Sequence, residues 1–138
     1  GKTYRYTCFD GDVKPVFDRK YVTILDYSPD VEKMRQAAGY LVGEHDFASF
    51  CGNPRMRKST VRLVDSITVE RRKDRVVFTL HGTGFLQNMV RIIVGTLLEV
   101  GRGYWPPEQV QAILEAKDRK QAGPTAPPEG LCLMKVDY

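Results

Sequence analysis

The chain has 138 residues, 42% of them hydrophobic and 28% charged, and its 21 lysines and arginines against 17 aspartates and glutamates give a formal charge of +4. This balance is typical of an ordinary soluble globular protein, and the mild basic excess permits a nucleic-acid partner without requiring one. Three separated cysteines and two histidines show no metal-ligand spacing, so we expect neither disulfides nor a bound metal, and a cytoplasmic setting. No apolar run reaches membrane-spanning length, because Arg91 and Glu99 interrupt the longest one.

The chain opens on a strand-like segment. Residues 4 to 9 alternate in character, with Tyr4 and Tyr6 on one face, and the pattern predicts a strand. Because this strand begins at once, we expect a domain cut from a longer protein. Tyr6 is expected to fill the core with its hydroxyl at the edge, whereas Tyr4, at the start of the strand, is better placed to reach a cleft.

Helix signals follow a loop. Ser28 as N-cap, Pro29 at the first position and Gly43 beyond the end predict a helix between them. The next stretch has no clean period and ends in a basic cluster. Within it, His45 and Asp46 suit either hydrogen bonding at a loop or acid–base chemistry, and the first is favoured because neighbouring side chains rarely point at one target.

The rest of the chain alternates strand and helix patterns. Two alternating runs joined by RRKD predict a β-hairpin, and the final residues predict a strand. The successive segments are a hairpin over 61–80, an apolar helix over 84–101, a shorter helix from about 106, a stiff proline-rich loop over 122–130 and a strand over 131–138. This order predicts an α+β fold, with helices packed on a largely antiparallel sheet in one domain covering residues 1–138.

Arg91 stands at the centre of the apolar helix. The helical neighbours three and four residues away include no carboxylate, so the helix itself offers no partner for this charge. One reading is a side chain on a solvated stripe, with its stem packed and its head in water, and spacing alone favours it. The other is an arginine held in a cleft to meet a carboxylate or a phosphate.

A compact basic cluster lies on or beside a loop. It consists of Arg55, Arg57, Lys58 and Arg62. Loops that carry grouped cations often contact phosphates, but a solvated charged loop has the same composition. No phosphate-binding loop, dinucleotide fingerprint, HExxH zinc motif or GxSxG motif occurs, so the sequence predicts no cofactor.

Four segments together resemble one family. They are YRY at 4–6, GEHDFASF at 43–50, FLQNMVRIIVGTLLEVGRG at 85–103 and TAPPEGLCLMKVDY at 125–138. In this order they resemble the TruA family of tRNA pseudouridine synthases. The resemblance covers only the C-terminal half of that family. The N-terminal half, with its GRTDAGVHA-type motif and essential aspartate, is not in these 138 residues.

The resemblance implies half of a pseudouridine synthase fold and roles for three residues. Arg91 matches the basic residue that pairs with the catalytic aspartate. Tyr4 matches the tyrosine that stacks on the target base, and Leu131 an apolar wall beside it. The implied reaction converts uridine to pseudouridine in RNA. The aspartate takes part in breaking the N-glycosidic bond, and the freed uracil rotates and rejoins through carbon 5. The chain alone is therefore expected to be inactive.

The resemblance also implies partners. Members of the family act on uridines of the tRNA anticodon arm as homodimers, without a cofactor or metal. On physical grounds we assign RNA binding to the basic cluster at Arg55, Arg57, Lys58 and Arg62. The alternative hypothesis is a non-catalytic RNA-binding module that reuses the same fold.

Overall fold

The computed structural model describes residues 1–12, 21–53 and 55–137. The described residues form six strands and three α-helices, with 3₁₀ turns at Ala48–Phe50, Arg119–Gln121 and Pro128–Gly130. The elements are β1 Lys2–Phe9, β2 Thr23–Ile24, α1 Val31–Gly39, β3 Gly43–Asp46, β4 Val61–Arg72, β5 Arg75–Gly82, α2 Met89–Gly101, α3 Gln109–Ala116 and β6 Leu131–Val136. The predicted α+β class is confirmed. No helix of the described ranges is long and apolar enough to cross a membrane.

The strands form one mixed sheet in the order β2-β1-β5-β4-β3, and β6 also pairs with β1. Only the short β1–β2 pairing is parallel, so the sheet is largely antiparallel, as predicted. The strand β1 is central: β5 runs along one edge, and β6 pairs with its first residues on the other. Residues at the start of β1 therefore lie between one strand from the middle of the chain and one from its last residues.

The predicted hairpin is confirmed as β4 and β5, which pair from Arg72–Arg75 back to Val64–Gly82. Its turn is formed by Lys73 and Asp74, and Lys73 adopts the left-handed backbone with φ of 57° that tight hairpin turns use. Alternating residues of β5, among them Val76, Phe78 and Leu80, are fully buried. Burial of one face of the strand thus fixes the pairing register.

The helix α2 is the centre of the core. Eleven of its thirteen residues are buried, which agrees with the apolar pattern in the sequence. The first helix packs on α2 so closely that a Cβ at Gly101 would lie 2.8 Å from Met34 Sδ. The only α2 residues with partial exposure are Arg91 and Glu99. The single arginine of the helix therefore emerges from an otherwise closed core.

The first helix is shorter than the sequence predicts. Asp30, not Ser28, is its N-cap, and the Asp30 carboxylate accepts a first-turn backbone N–H at 3.1 Å. The Ser28 hydroxyl instead donates to Asp10 Oδ2 at 3.1 Å. The helix ends at Gly39, well before Gly43, which has φ of 118° and opens β3. A long-range contact thus takes the serine that local rules assign to the cap.

Two other predictions are corrected. The aperiodic stretch contains the strand β3, so His45 lies on a strand and not in a loop, with Nε2 3.0 Å from the Val42 carbonyl oxygen. The apolar helix begins at Met89 and not at residue 84, because Asn88 adopts a left-handed φ of 59° that a continuing helix cannot contain. Phe85 still packs against the core from outside the helix.

Candidate active site

The three residues singled out by the resemblance, Tyr4, Arg91 and Leu131, line one cavity of about 110 Å³. They come from β1, α2 and β6, which are far apart in sequence and adjacent in the fold. The remaining lining residues are Phe85, Leu86, Asn88, Met89 and Val90. Most of the wall is apolar, and the single charged group in it is the Arg91 guanidinium. Such a wall suits a planar, partly polar ligand such as a nucleobase.

Tyr4 and Tyr6 stand on one face of β1 but differ in their surroundings. Tyr6 is fully buried, and its hydroxyl lies 2.6 Å from both Thr23 Oγ1 and the Pro127 carbonyl oxygen. Burial raises the pKa of Tyr6 above its ordinary value, so this hydroxyl stays protonated and structural. The partly exposed ring of Tyr4 meets Phe85 edge to face at 5.3 Å, and its hydroxyl makes no hydrogen bond among the described residues. Tyr4 is thus the tyrosine available to a ligand.

Arg91 is held by the proline-rich loop that covers its side of α2. Its Nε donates to the Ala126 carbonyl oxygen at 2.7 Å, and the Ala126 N–H donates back to the Arg91 carbonyl oxygen at 3.0 Å. The loop lies this close because residue 95 has no side chain: a Cβ at Gly95 would be 1.7 Å from the Pro124 carbonyl oxygen. A further bond, from the Gly123 N–H to Thr96 Oγ1 at 3.0 Å, fixes the loop.

The terminal nitrogens of Arg91 remain available. Nη1 has only a long 3.5 Å contact with Asn88 Oδ1. Within the described ranges, no carboxylate lies within 4.0 Å of the guanidinium. Of the stripe that runs beside Arg91, Gly95 is buried under the loop, whereas Asn88 is exposed. An arginine with a fixed stem and free Nη atoms is prepared to bind a carboxylate or phosphate in two-point geometry.

Leu131 owes its position to the glycine before it. A Cβ at Gly130 would lie 2.7 Å from the Thr7 carbonyl oxygen and 2.8 Å from the Tyr6 ring, so only glycine lets β6 start this close to β1. Leu131 then pairs with Tyr6 across the two strands. Residues two apart share a face, which brings Leu131 diagonally beside Tyr4. The EGL segment therefore forms one wall of the cavity.

The basic cluster borders a second cavity, of about 460 Å³, next to the first. Phe85 and Leu86 line both, so the two cavities adjoin. The second cavity is lined by all four residues of the basic cluster, which are Arg55, Arg57, Lys58 and Arg62. Asn53, Met56 and Gln87 complete its lining. The Arg62 guanidinium donates to the carbonyl oxygens of Ser59 and Val61, both at 2.7 Å, so it stays close to the loop. The predicted phosphate-binding residues and the predicted base-binding residues thus lie on one continuous surface.

A larger cavity of about 610 Å³ lies elsewhere along α2 and contains neither Tyr4 nor Arg91. Its charged lining residues are Asp26, Glu99 and Arg102. The Arg102 guanidinium stacks 4.5 Å above the Tyr27 ring, and burial is the main reason that the pKa of Tyr27 rises to about 12. Because the reactive groups of the other cavity are missing here, size alone does not make this cavity the functional site.

A family model described as tRNA pseudouridine synthase matches residues 37–138, about three quarters of the chain. The chain belongs to the tRNA pseudouridine synthase family. The match includes Arg91, Leu131 and the basic cluster, and Tyr4 lies before it.

Curated members of the family resemble the chain over its whole length. A protein named tRNA pseudouridine synthase A from Clostridium kluyveri is 46% identical over 138 residues, which are 100% of this chain and 57% of that protein. The protein of the same name from Brevibacillus brevis is 48% identical over 137 residues, 99% of this chain and 56% of the relative. A third protein of this name, from Syntrophotalea carbinolica, is 46% identical over 138 residues, which are 100% of this chain and 55% of that protein. The chain therefore spans little more than half the length of these relatives.

Sequence reasoning missed two residues of the first cavity. Phe85 was expected inside the helix, whereas it precedes α2 and forms an edge-to-face pair with Tyr4. Asn88 also falls inside the helix predicted over 84–101, whereas its left-handed backbone precedes the first helical residue and its side chain lies near the guanidinium. The available signal was Asn88 itself, because asparagine is among the few residues that adopt this conformation.

Proposed function

We propose that the full-length protein is a tRNA pseudouridine synthase that isomerises uridine to pseudouridine in the anticodon arm of tRNA. This chain supplies the part of its active site that carries Tyr4, Arg91 and Leu131, and the catalytic carboxylate comes from the remainder of the protein. The observation that carries the proposal is the convergence of these three side chains on one cavity, with the Arg91 guanidinium fixed at Nε and free at Nη.

The size of the cavity supports a shared site. About 110 Å³ is well below the roughly 300–1,000 Å³ of a complete ligand pocket, so these residues form one wall of a pocket. A carboxylate placed against the Nη atoms of Arg91 would close the opposite side. The guanidinium would stabilise the ionised form of that carboxylate and orient it towards the nucleotide.

The remaining residues of the chain position the nucleotide. The Tyr4 ring, buttressed by Phe85, offers a face on which a uracil taken out of its base stack can lie, while Leu131 limits its position. The Tyr4 hydroxyl is available to exchange a proton with carbon 5 when the base is rejoined. The basic loop, Arg55, Arg57, Lys58 and Arg62, holds the RNA backbone beside the cavity.

The proposal includes the setting of the enzyme. The protein acts as a homodimer in the cytoplasm and uses neither a metal nor an organic cofactor. The three cysteines, Cys8, Cys51 and Cys132, are all free, which suits a reducing compartment. This chain alone is inactive, because it contributes the arginine of the ion pair but not the carboxylate.

The test uses Arg91 in the full-length protein. Arg91→Ala is expected to lower the rate of pseudouridine formation by about 10²–10³-fold, the usual effect of removing one preorganised charged group from a site. The dissociation constant for tRNA should change less than twofold, because the phosphate contacts are elsewhere. Arg91→Lys keeps the charge but not the two-point geometry, so its rate of pseudouridine formation should lie between those of the unsubstituted protein and Arg91→Ala. Near-normal turnover of Arg91→Ala would remove the ion pair from the mechanism.

The alternative, an RNA-binding module without catalysis, rests on the exposed basic loop alone. It predicts salt-dependent tRNA binding by the full-length protein with no pseudouridine formed under any condition. Mass-spectrometric detection of pseudouridine in an incubated tRNA transcript separates the two functions, since binding by itself leaves every uridine unchanged.

A further inference from the structure

The surface that carries the two cavities continues into a third. Asn53 and Met56, which line the cavity of the basic loop, also line a concavity of about 540 Å³ on its far side. Its other lining residues come from the 3₁₀ turn after β3, from residue 60, and from the turn that follows α3: Ala48, Cys51, Thr60, Lys117, Asp118, Arg119 and Lys120. Shared lining residues thus place the Tyr4–Arg91 cavity, the cavity of the basic loop and this concavity next to one another, and we call this row of cavities the groove.

The 117–120 turn has a positive charge that the chain does not neutralise. Three cations stand beside one carboxylate in four residues, and Lys117 and Lys120 are exposed. The guanidinium of Arg119 is bonded to the Gly123 carbonyl oxygen at 2.9 Å and to Thr125 Oγ1 at 3.2 Å. In the described part of the chain, none of the three cations forms an ion pair.

The turn is held rigidly. Lys117 ends α3 in a left-handed conformation with φ of 51°. The Asp118 N–H donates to Ser49 Oγ at 2.8 Å, and this fully buried hydroxyl donates in turn to the Ile113 carbonyl oxygen at 2.6 Å. The Asp118 carboxylate accepts the Lys120 N–H at 3.0 Å. A fixed backbone under two exposed lysines lowers the entropy that a ligand must remove when it binds them.

We propose that the 117–120 turn is a second phosphate-binding site of the groove, where Lys117 and Lys120 hold the tRNA backbone beyond the basic loop. This site rests on the proposed function, which supplies the RNA. No aromatic side chain lines this end of the groove among the described residues, whereas the other end has Tyr4 and Phe85. The turn therefore contacts phosphates and not stacked bases, and its contribution is independent of sequence.

The alternative for exposed lysines is simple solvation. Two observations favour a ligand: the lysines line a concavity that shares Asn53 and Met56 with the cavity of the basic loop, and hydrogen bonds fix the backbone beneath them. An acidic protein segment would be attracted by the same lysine charges. The grouped cations of the turn and the basic loop next to them favour a nucleic-acid strand that passes both places.

The experiment measures tRNA affinity of the full-length protein as a function of salt. Each phosphate contact contributes about 0.7–0.9 to the slope of log affinity against log salt, so Lys117→Gln with Lys120→Gln should reduce the slope by about 1.4–1.8. Between about 50 and 200 mM salt, the unsubstituted protein should then lose roughly 7- to 12-fold more affinity than the double variant. Thermal unfolding of both proteins establishes that the variant is folded.

The matched control is Lys33→Gln with Arg72→Gln, which removes the same charge from residues that do not line the groove. Its slope should equal that of the unsubstituted protein. Equal slopes for the two double variants would overturn the second site. Pseudouridine formation by the unsubstituted protein is measured in parallel. If no pseudouridine is formed, the proposed function is refuted. If pseudouridine is formed but the two double variants have equal salt slopes, only the second site is refuted.

Discussion

Two groups of basic side chains in the described part of the chain differ in whether a carboxylate lies beside them. The paired group has carboxylate partners at 3.3, 2.7 and 3.0 Å: Arg35 with Glu32, Arg71 with Asp10 and Arg72 with Glu70. The groove group has none within 4.0 Å in the described part of the chain: Arg55, Arg57, Lys58, Arg62, Lys117 and Lys120. Arginines occur in both groups, so the presence of an arginine does not tell the groups apart.

The difference shows where the charge is available to a partner. In the paired group the chain supplies its own anions, and the hydrogen bond that Arg71 donates to the Asp10 carboxylate is the main reason that the pKa of Arg71 is raised. In the groove group the cations surround a concave surface that ends at Tyr4 and Arg91. A formal charge of +4 therefore understates the potential along one face. Unneutralised charge in a groove, and not net charge, is the signal of an anionic ligand.

The largest effect on the salt dependence of tRNA binding is expected when the charges of the basic loop are removed. Arg55→Gln, Arg57→Gln and Lys58→Gln together should reduce the salt slope of tRNA affinity by about 2.1–2.7, because up to three phosphate contacts are lost. Between about 50 and 200 mM salt the unsubstituted full-length protein would lose roughly 20- to 40-fold more affinity than the variant. The control replaces Arg35, Arg71 and Arg72 by glutamine and should keep the slope. Equal slopes for both triple variants would abolish the distinction between the groups.

A second prediction concerns Arg91, which belongs to neither group because a backbone carbonyl holds it. Gly95→Ala would place a Cβ 1.7 Å from the Pro124 carbonyl oxygen and displace the loop that orients the guanidinium. We expect a loss of about 1–3 kcal/mol in the free energy of unfolding, together with reduced turnover. Chemical denaturation and a single-turnover assay measure the two effects.

The control for that substitution is a helical glycine in open space. A Cβ at Gly39, the last residue of α1, would have no heavy atom within 4 Å. Gly39→Ala should therefore leave stability unchanged or raise it by up to about 1 kcal/mol. If Gly95→Ala behaved in the same way, the loop would not depend on the close approach at residue 95.

The smallest effect is expected within the paired group. Arg71→Gln leaves the Asp10 side chain, which is only 4% exposed, without its charged partner, and should cost about 1 kcal/mol of stability. Arg72→Gln, whose partner Glu70 is 47% exposed, should cost less than about 0.5 kcal/mol. Neither change should alter tRNA affinity. A weakened affinity in Arg71→Gln would place the paired group in the interface and contradict the comparison.

The strongest periodic signals in the sequence predicted the fold well, and the weak ones did not. The hairpin and the buried helix α2 follow from long runs of one period. The strand β3 was missed because its four residues, Gly43–Asp46, are mostly polar and show no alternation. The N-cap was misplaced because Ser28 and Asp30 satisfy the same local rule, and only the distant Asp10 decides between them.

The site was less predictable than the fold. Spacing showed that Arg91 has no carboxylate on its helix, but its actual partner, the Ala126 carbonyl oxygen, is 35 residues away and carries no local signal. The prediction that Tyr4, Arg91 and Leu131 belong to one site came from the family resemblance. Composition identified the basic loop but not the 117–120 turn, because two lysines at a helix end are ordinary until the fold brings them beside Met56.

The central claim is that the active site is divided between this chain and the rest of the protein. Its most direct test is pseudouridine formation on an unmodified tRNA transcript by the full-length protein and by this chain alone, with the secondary structure of the isolated chain measured by circular dichroism. We predict product from the full-length protein and none from the folded chain. Product from the chain alone would mean that the essential carboxylate lies within these 138 residues, and would contradict the role given to Arg91.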